Sequence, residues 1–170
     1  MRKILLVLIM IGMQLFALQL GDTPPDVILD GKNGGKVDGS AWNSTMLKDK
    51  VYVLFYVDPD KKDVNEAFAD ALKESNFDHD KYSSVAIVNL AATWKPNFII
   101  EALLKSKQKK FPHALYVKDK KKVLVKKWHL ADDASNVVIF SKDGKVLYFK
   151  NGKLDKNEIS KVIQLIKDNL

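Results

Sequence analysis

No cysteine occurs anywhere in this 170-residue chain, so its chemistry cannot run through a thiol. Side chains that could act instead gather in a few places. Asp58, Asp60 and Asp63 fall together in Asp58-Pro59-Asp60-Lys61-Lys62-Asp63. Three carboxylates that close could hold Ca²⁺ or Mg²⁺. The segment lacks the glycine and the closing glutamate of an EF-hand loop, and aspartates at a helix start also cap it and offset its dipole. Capping is the simpler reading. His129, Asp132, Asp133 and Ser135 supply the residue types of a hydrolytic triad. A triad draws its members from separated elements and sets its serine on a sharp turn. These residues share one short loop with no Gly-x-Ser-x-Gly, and an Asp/Ser turn before a strand accounts for them. His79, His113 and His129 are far apart, and no pair has the spacing of a zinc site. No metal or cofactor is therefore expected. Of Trp42, Trp94 and Trp128, Trp94 is the informative one. It either packs over the edge of the core or lines a cleft beside Asp58.

The elements that would position these residues are legible in the apolar pattern. Val51 to Val57 is a continuous β-type run, which marks a strand buried on both faces. Asp58-Pro59-Asp60 stops it. Val64, Ala67, Phe68, Ala71 and Leu72 then recur at helical spacing, predicting a helix from about Lys62 to Ser75. Val85 to Val88 is a second buried strand, ending near Leu90. Pro96 suits the first turn of a helix whose buried face would carry Ile99, Ile100, Leu103 and Leu104. Leu115-Tyr116-Val117 and Val123-Leu124-Val125 flank a Lys/Asp turn and read as an inserted hairpin. Val137 to Phe140 is another buried strand, and Asp143-Gly144 turns it into Val146 to Phe149. Asp155 and Glu158 form a capping-box-like start for a last helix that carries Ile159, Val162, Ile163 and Ile166 on one face. Gly21 to Asp49, rich in Gly, Asp, Asn and Pro, reads as a β extension, a surface strand or hairpin with turns. The order β-α-β-α, hairpin, β-β-α predicts an α/β three-layer sandwich: a mixed sheet with a parallel core and an antiparallel edge. Asp58, Trp94 and Ser135-Asn136 then meet at the carboxyl rim, where ligand sites of open α/β sheets gather.

The N-terminus has the form of a signal peptide. Arg2 and Lys3 precede the apolar run Ile4–Met13, and Ala17 is a small residue before a cut. The expectation is a leader over residues 1–17, a domain over 18–170 and a periplasmic location. The apolar run is shorter than the ~20 residues that span a bilayer, so no stable membrane insertion is expected after cleavage. Cleavage removes Arg2 and Lys3 and no acid, leaving 26 basic against 21 acidic residues, net +5. The lysines are mostly interspersed with acids, apart from Lys105–Lys110 and Lys118–Lys127, and solubility explains them better than an anionic partner. No nucleic-acid motif is present.

The order of elements, together with local text, resembles exported redoxins of the TlpA/ResA type. Lys48-Asp49-Lys50-Val51 through Val57 is similar to their first core strand, Phe111-Pro112 through Trp128 to a following segment, and Asn136–Val146 to the strand and turn after that. A narrower resemblance is to the YtfJ family of exported bacterial proteins. It rests on Phe55-Tyr56-Val57-Asp58-Pro59-Asp60, Ala92-Thr93-Trp94-Lys95-Pro96-Asn97 and Leu130-Ala131-Asp132-Asp133. The resemblance implies a thioredoxin-like fold. It also exposes a departure. Redoxins carry Cys-x-x-Cys at the helix start after the first core strand, where the helix N-terminus makes the thiolate reactive. Here Asp58–Asp63 stands there, and Ala134-Ser135-Asn136 replaces the proline segment beside that site. The resemblance therefore implies a redox-inactive binding module rather than an enzyme. Its binding rim would comprise Asp58, Pro59, Asp60, Trp94, Ser135 and Asn136, and its partner would be a protein or peptide. The alternatives are a divalent-cation site at Asp58, Asp60 and Asp63, and a non-redox enzyme using His129 and the Asp132–Ser135 loop.

Overall fold

A computed structural model describes residues 18–170, so the leader expected over residues 1–17 lies outside the described residues. The N-terminal segment holds short strands. β1 (Ile28–Leu29) pairs antiparallel with β3 (Trp42–Asn43). Between them, β2 (Gly34–Lys36) runs antiparallel along the edge of the main sheet. Glycine at position 34 permits this: a Cβ there would lie 1.8 Å from the Lys118 carbonyl oxygen, at φ +134. The segment is not merely a surface extension, since Val27, Leu29, Trp42 and Leu47 are all buried.

The main sheet is built on β4 (Val51–Val57), followed by α1 (Glu66–Glu74), β5 (Tyr82–Asn89), α2 (Asn97–Lys110), β6 (Ala114–Asp119), α3 (Val123–Trp128), β7 (Ser135–Phe140), β8 (Val146–Asn151) and α4 (Lys156–Asn169). The strand order is β2-β6-β5-β4-β7-β8. β4, β5 and β6 are parallel, and β7 and β8 add the antiparallel edge. Alternate residues of β4 feed two cores, as a strand with opposite-pointing side chains must. Leu54 and Tyr56 join Val138, Phe140, Leu124 and Trp128, while Val51 and Val53 join Val137, Ile139, Phe68 and Val162. Both faces of the sheet are thus covered, giving the three layers. The Asp143-Gly144 turn and the Asp155/Glu158 capping box form as the sequence predicts, with Gly144 at φ +79.

Four expectations need correction. The inserted hairpin does not exist. Leu115–Val117 belongs to a third parallel strand, β6, and Val123–Val125 opens the helix α3. The cause is Asp119, which is fully buried at the end of β6. Its carboxylate accepts the backbone N–H groups of Lys121 (3.0 Å) and Leu124 (3.1 Å) and so fixes the first turn of a helix. Leu124 and Trp128, one turn apart, then bury together, and the β-type preference of Val-Leu-Val is overridden. Second, α1 begins at Glu66, four residues late, because a 3₁₀ turn occupies Pro59–Lys61 and the Asn65 side chain is drawn into the tertiary structure. Third, α2 buries only Ile100 and Leu104, while Ile99 and Leu103 face solvent. Fourth, Phe55 is half-buried, not fully buried, and packs its ring against Phe68 at 5.7 Å. Val53, Val138 and Phe140 are buried on adjacent strands as expected.

Candidate functional site

The carboxyl ends of β4 and β5 and the start of β7 meet at one rim. The Asp58 N–H donates to the Ala134 carbonyl at 3.0 Å, tying the end of β4 to the loop before β7. The Asp58 side chain turns back and accepts the Asp60 N–H at 2.8 Å, capping the 3₁₀ turn. With the residue only 3% exposed, burial pushes the carboxyl above the ordinary aspartate range. The Asp60 N–H opposes this shift, and the neighbouring Asp133 carboxyl and the Asp60 charge reinforce it. Asp60 shows the reverse. Lys95 and the Thr93 hydroxyl, at 2.9 Å, both donate to its carboxylate and lower its pKa. These contacts bind the loop that carries Trp94 to the turn after β4. Trp94 itself is 87% exposed, so it is no lid on the core edge.

Ser135 and Asn136 lie beneath the rim rather than on it. The Ser135 hydroxyl accepts from Asn65 Nδ2 at 3.0 Å. Asn136 accepts the Ala131 N–H at 3.0 Å and donates to the Ala131 carbonyl at 2.9 Å. The Ser135 hydroxyl is thus spent on the start of α1, and the Asn136 amide on holding the loop 131–134 in place. Pro59 is buried as well. The rim residues open to solvent are therefore Asp60 and Trp94.

The alternative sites are not assembled. Asp63 pairs with its neighbour Lys62, away from the contacts of Asp58 and Asp60. Among the described residues no three His, Asp or Glu side chains converge as a metal ion would require. His129 ends α3 in the left-handed conformation at φ +52 and points to solvent. No hydrogen bond joins it to Asp132, Asp133 or Ser135 among the described residues. Asp132 instead accepts from Lys122 at 2.6 Å and from Asn89 Nδ2 at 3.0 Å, and Lys122 lowers its pKa. Trp42 and Trp128 are core residues, with Trp128 Nε1 donating to the Pro25 carbonyl at 2.7 Å.

Several residues here carry no signal in the sequence. Asn65 makes three contacts, adding the Gly152 carbonyl and the Leu154 N–H, each at 2.9 Å, to Ser135. It ties the start of α1 to the one end of the antiparallel β7–β8 pair where β7 begins and β8 finishes. Asn89 is buried at the end of β5 with its Oδ1 unpartnered. His79 and His113, distant in sequence, stack face to face at 4.0 Å and 8°. Partners 34 to 89 residues away cannot be inferred from spacing.

With this geometry in view, comparison with known proteins decides the family. The sequence profile of the family described as "Bacterial protein of unknown function (YtfJ_HI0045)" matches residues 26–169. This chain belongs to that family. It is 31% identical to protein YtfJ of Escherichia coli (strain K12) over 128 residues, covering 74% of this chain and 70% of that protein. A protein of Haemophilus influenzae is 30% identical over 145 residues, covering 83% and 77%. Among solved structures, a DsbE-type thiol:disulfide interchange protein of Chlorobium tepidum superposes with a TM-score of 0.65 at 17% identity, covering 90% of this chain and 99% of that one. The exposed lipoprotein thioredoxin of Streptococcus pneumoniae gives 0.59 at 17%, covering 85% and 99%. The fold is therefore thioredoxin-like. The YtfJ family member described here keeps that fold without a single cysteine.

Proposed function

We propose that this protein is a redox-inactive, exported binding module that engages a protein or peptide partner at the Asp60–Trp94 rim. The single observation that carries the proposal is Trp94, an indole 87% exposed on a loop anchored to Asp60 by Thr93 and Lys95. A large aromatic held out in water by a fixed loop costs hydration free energy and brings no packing in return. Trp is also the residue type most enriched among interface hot spots. In the thioredoxin-like frame this rim stands where redoxins keep their dithiol, and a thiol-free rim there leaves recognition without disulfide exchange.

A photo-crosslinking residue placed at position 94, in cells that express the full chain, tests the reading. Discrete adducts in the exported fraction are expected from position 94 and not from exposed Lys161 on α4, and Asp60→Ala should reduce them. Equal labelling from both positions, or adducts in the cytoplasmic fraction alone, would remove this reading.

A further inference from the structure

The outward side of α2 is apolar where a helix packed on a sheet should be polar. Phe98 is 74% exposed, Ile99 43% and Leu103 58%, and Trp94 stands just ahead of the helix. Ile100 and Leu104 already fill the inward side, so the core has no use for the outward residues. At about 100° per residue, Phe98, Ile99 and Leu103 share one arc of roughly 140°. The last turns of the same helix are basic. Lys105, Lys107, Lys109 and Lys110 are exposed, and none pairs with a carboxylate among the described residues. The helix's own acid, Glu101, is turned away to Lys120 at 3.0 Å. Below this end opens a cleft of about 520 Å³ lined by Lys36, Lys105, Lys109 and His113, and the acid on its wall, Asp38, is held by Ser40.

We infer that α2 docks the protein on the surface of an anionic lipid bilayer, with Phe98, Ile99 and Leu103 in the interfacial layer, Trp94 beside it and the lysines on the headgroups. Two features select this occupant. The charge complements an anionic surface, and lysines at the edge of an apolar helix face let their stems lie along it while the ammonium reaches phosphate. The apolar side chains also stand on one convex helix face. They line neither the cleft at the β1–β3 segment nor the one at the basic end of α2. A bilayer deforms around a convex face; a folded partner needs a matching groove. The inference does not rest on the proposed partner at the rim. Docking would hold Asp60 at the membrane surface, so a partner met there would itself be membrane-associated.

Vesicles of phosphatidylglycerol with phosphatidylethanolamine, against vesicles of phosphatidylcholine, test it on the protein in the form cells accumulate. Trp42 and Trp128 are buried and Trp94 is exposed, so the long-wavelength emission reports the head of α2 whatever the state of residues 1–17. On the anionic vesicles this emission should shift to the blue, become quenchable by brominated lipid, and revert as salt is raised. The substitution pair Phe98→Asp and Leu103→Asp should abolish the shift with the circular dichroism unchanged, because both residues are exposed. Replacing Lys105, Lys109 and Lys110 by Gln should weaken partitioning by about fivefold per lysine. An equal shift on phosphatidylcholine would overturn the inference, as would no shift on either vesicle. So would a shift produced by inorganic phosphate or an acidic peptide but not by vesicles. A concentration-dependent dimer that Phe98→Asp dissociates, without a vesicle response, would assign the face to a second copy instead.

Discussion

Asn65 shows how much one side chain can hold. Asn65→Ala would leave the Leu154 N–H, the Gly152 carbonyl and the Ser135 hydroxyl without this partner. Buried polar groups left unpaired cost ~1–3 kcal/mol each, so urea unfolding should report a loss of about 2–4 kcal/mol after partial relaxation. Asp63→Asn, on the exposed neighbour, should stay within about 0.5 kcal/mol. Asp58 makes a pH-dependent prediction. Its folded-state pKa lies above the unfolded value of 3.8, so between the two the folded protein binds more protons. Stability contributed by this group therefore falls as pH rises through that window, opposite to Asp60 and Asp132, whose pKa values are lowered. Asp58→Asn keeps an oxygen for the Asp60 N–H and cannot ionise. Denaturation from pH 3 to pH 7 should show the variant gaining on the wild type as pH rises past the ordinary aspartate range. A constant difference would mean that Asp58 titrates alike in both states. Phe55→Ala should cost less than the ~3–5 kcal/mol of a fully buried ring, because part of the side chain is already open to solvent.

Among the elements, α3 is where local preference and final structure part. Val123-Leu124-Val125 reads as strand by composition, yet the buried Asp119 carboxylate accepts the Leu124 N–H in the first turn of a helix and the Lys121 N–H just before it, and Leu124 buries completely. Leu124→Ala should cost about 2–5 kcal/mol in unfolding measurements. His129→Gly at the end of α3 should be neutral or stabilising by up to ~1 kcal/mol, since glycine tolerates the positive φ. A large loss on that substitution would show that the imidazole has a role beyond ending the helix. In α2 the spacing of Ile99, Ile100, Leu103 and Leu104 marks a helix but is compatible with burial of either of two arcs. Contact with Val37, Val88 and Tyr116 selects the arc of Ile100 and Leu104.

At the scale of the molecule, stability comes from apolar clusters on the two faces of one sheet, with no disulfide cross-link. Reductant should therefore leave the unfolding midpoint unchanged. Disulfide reductase and isomerase assays on rigorously purified protein should read zero, because the exchange needs a thiolate that this chain lacks. Activity that persisted through purification would overturn the central inference about mechanism. The parallel β4-β5-β6 core with the antiparallel β7-β8 edge places the ends of β4 and β5 beside the start of β7, and that topology alone creates the rim.

The amino-acid sequence by itself determined the absence of thiol chemistry, the buried central strands, the β7–β8 turn and the capped last helix. Each is a local property: a residue type, a continuous apolar run, or partners only a few residues apart. It also marked Asp58 and Trp94 as neighbours on a rim, because Asp58 follows one core strand directly and Trp94 follows the next by a few residues. Only the tertiary structure decided that Ser135 and Asn136 are spent beneath that rim, that Asn65 and Asp119 organise their surroundings, and that the outward face of α2 stays apolar and uncovered. These depend on partners far along the chain or on which of two helical arcs meets the sheet. Period and composition leave such choices degenerate until packing and buried hydrogen bonds resolve them.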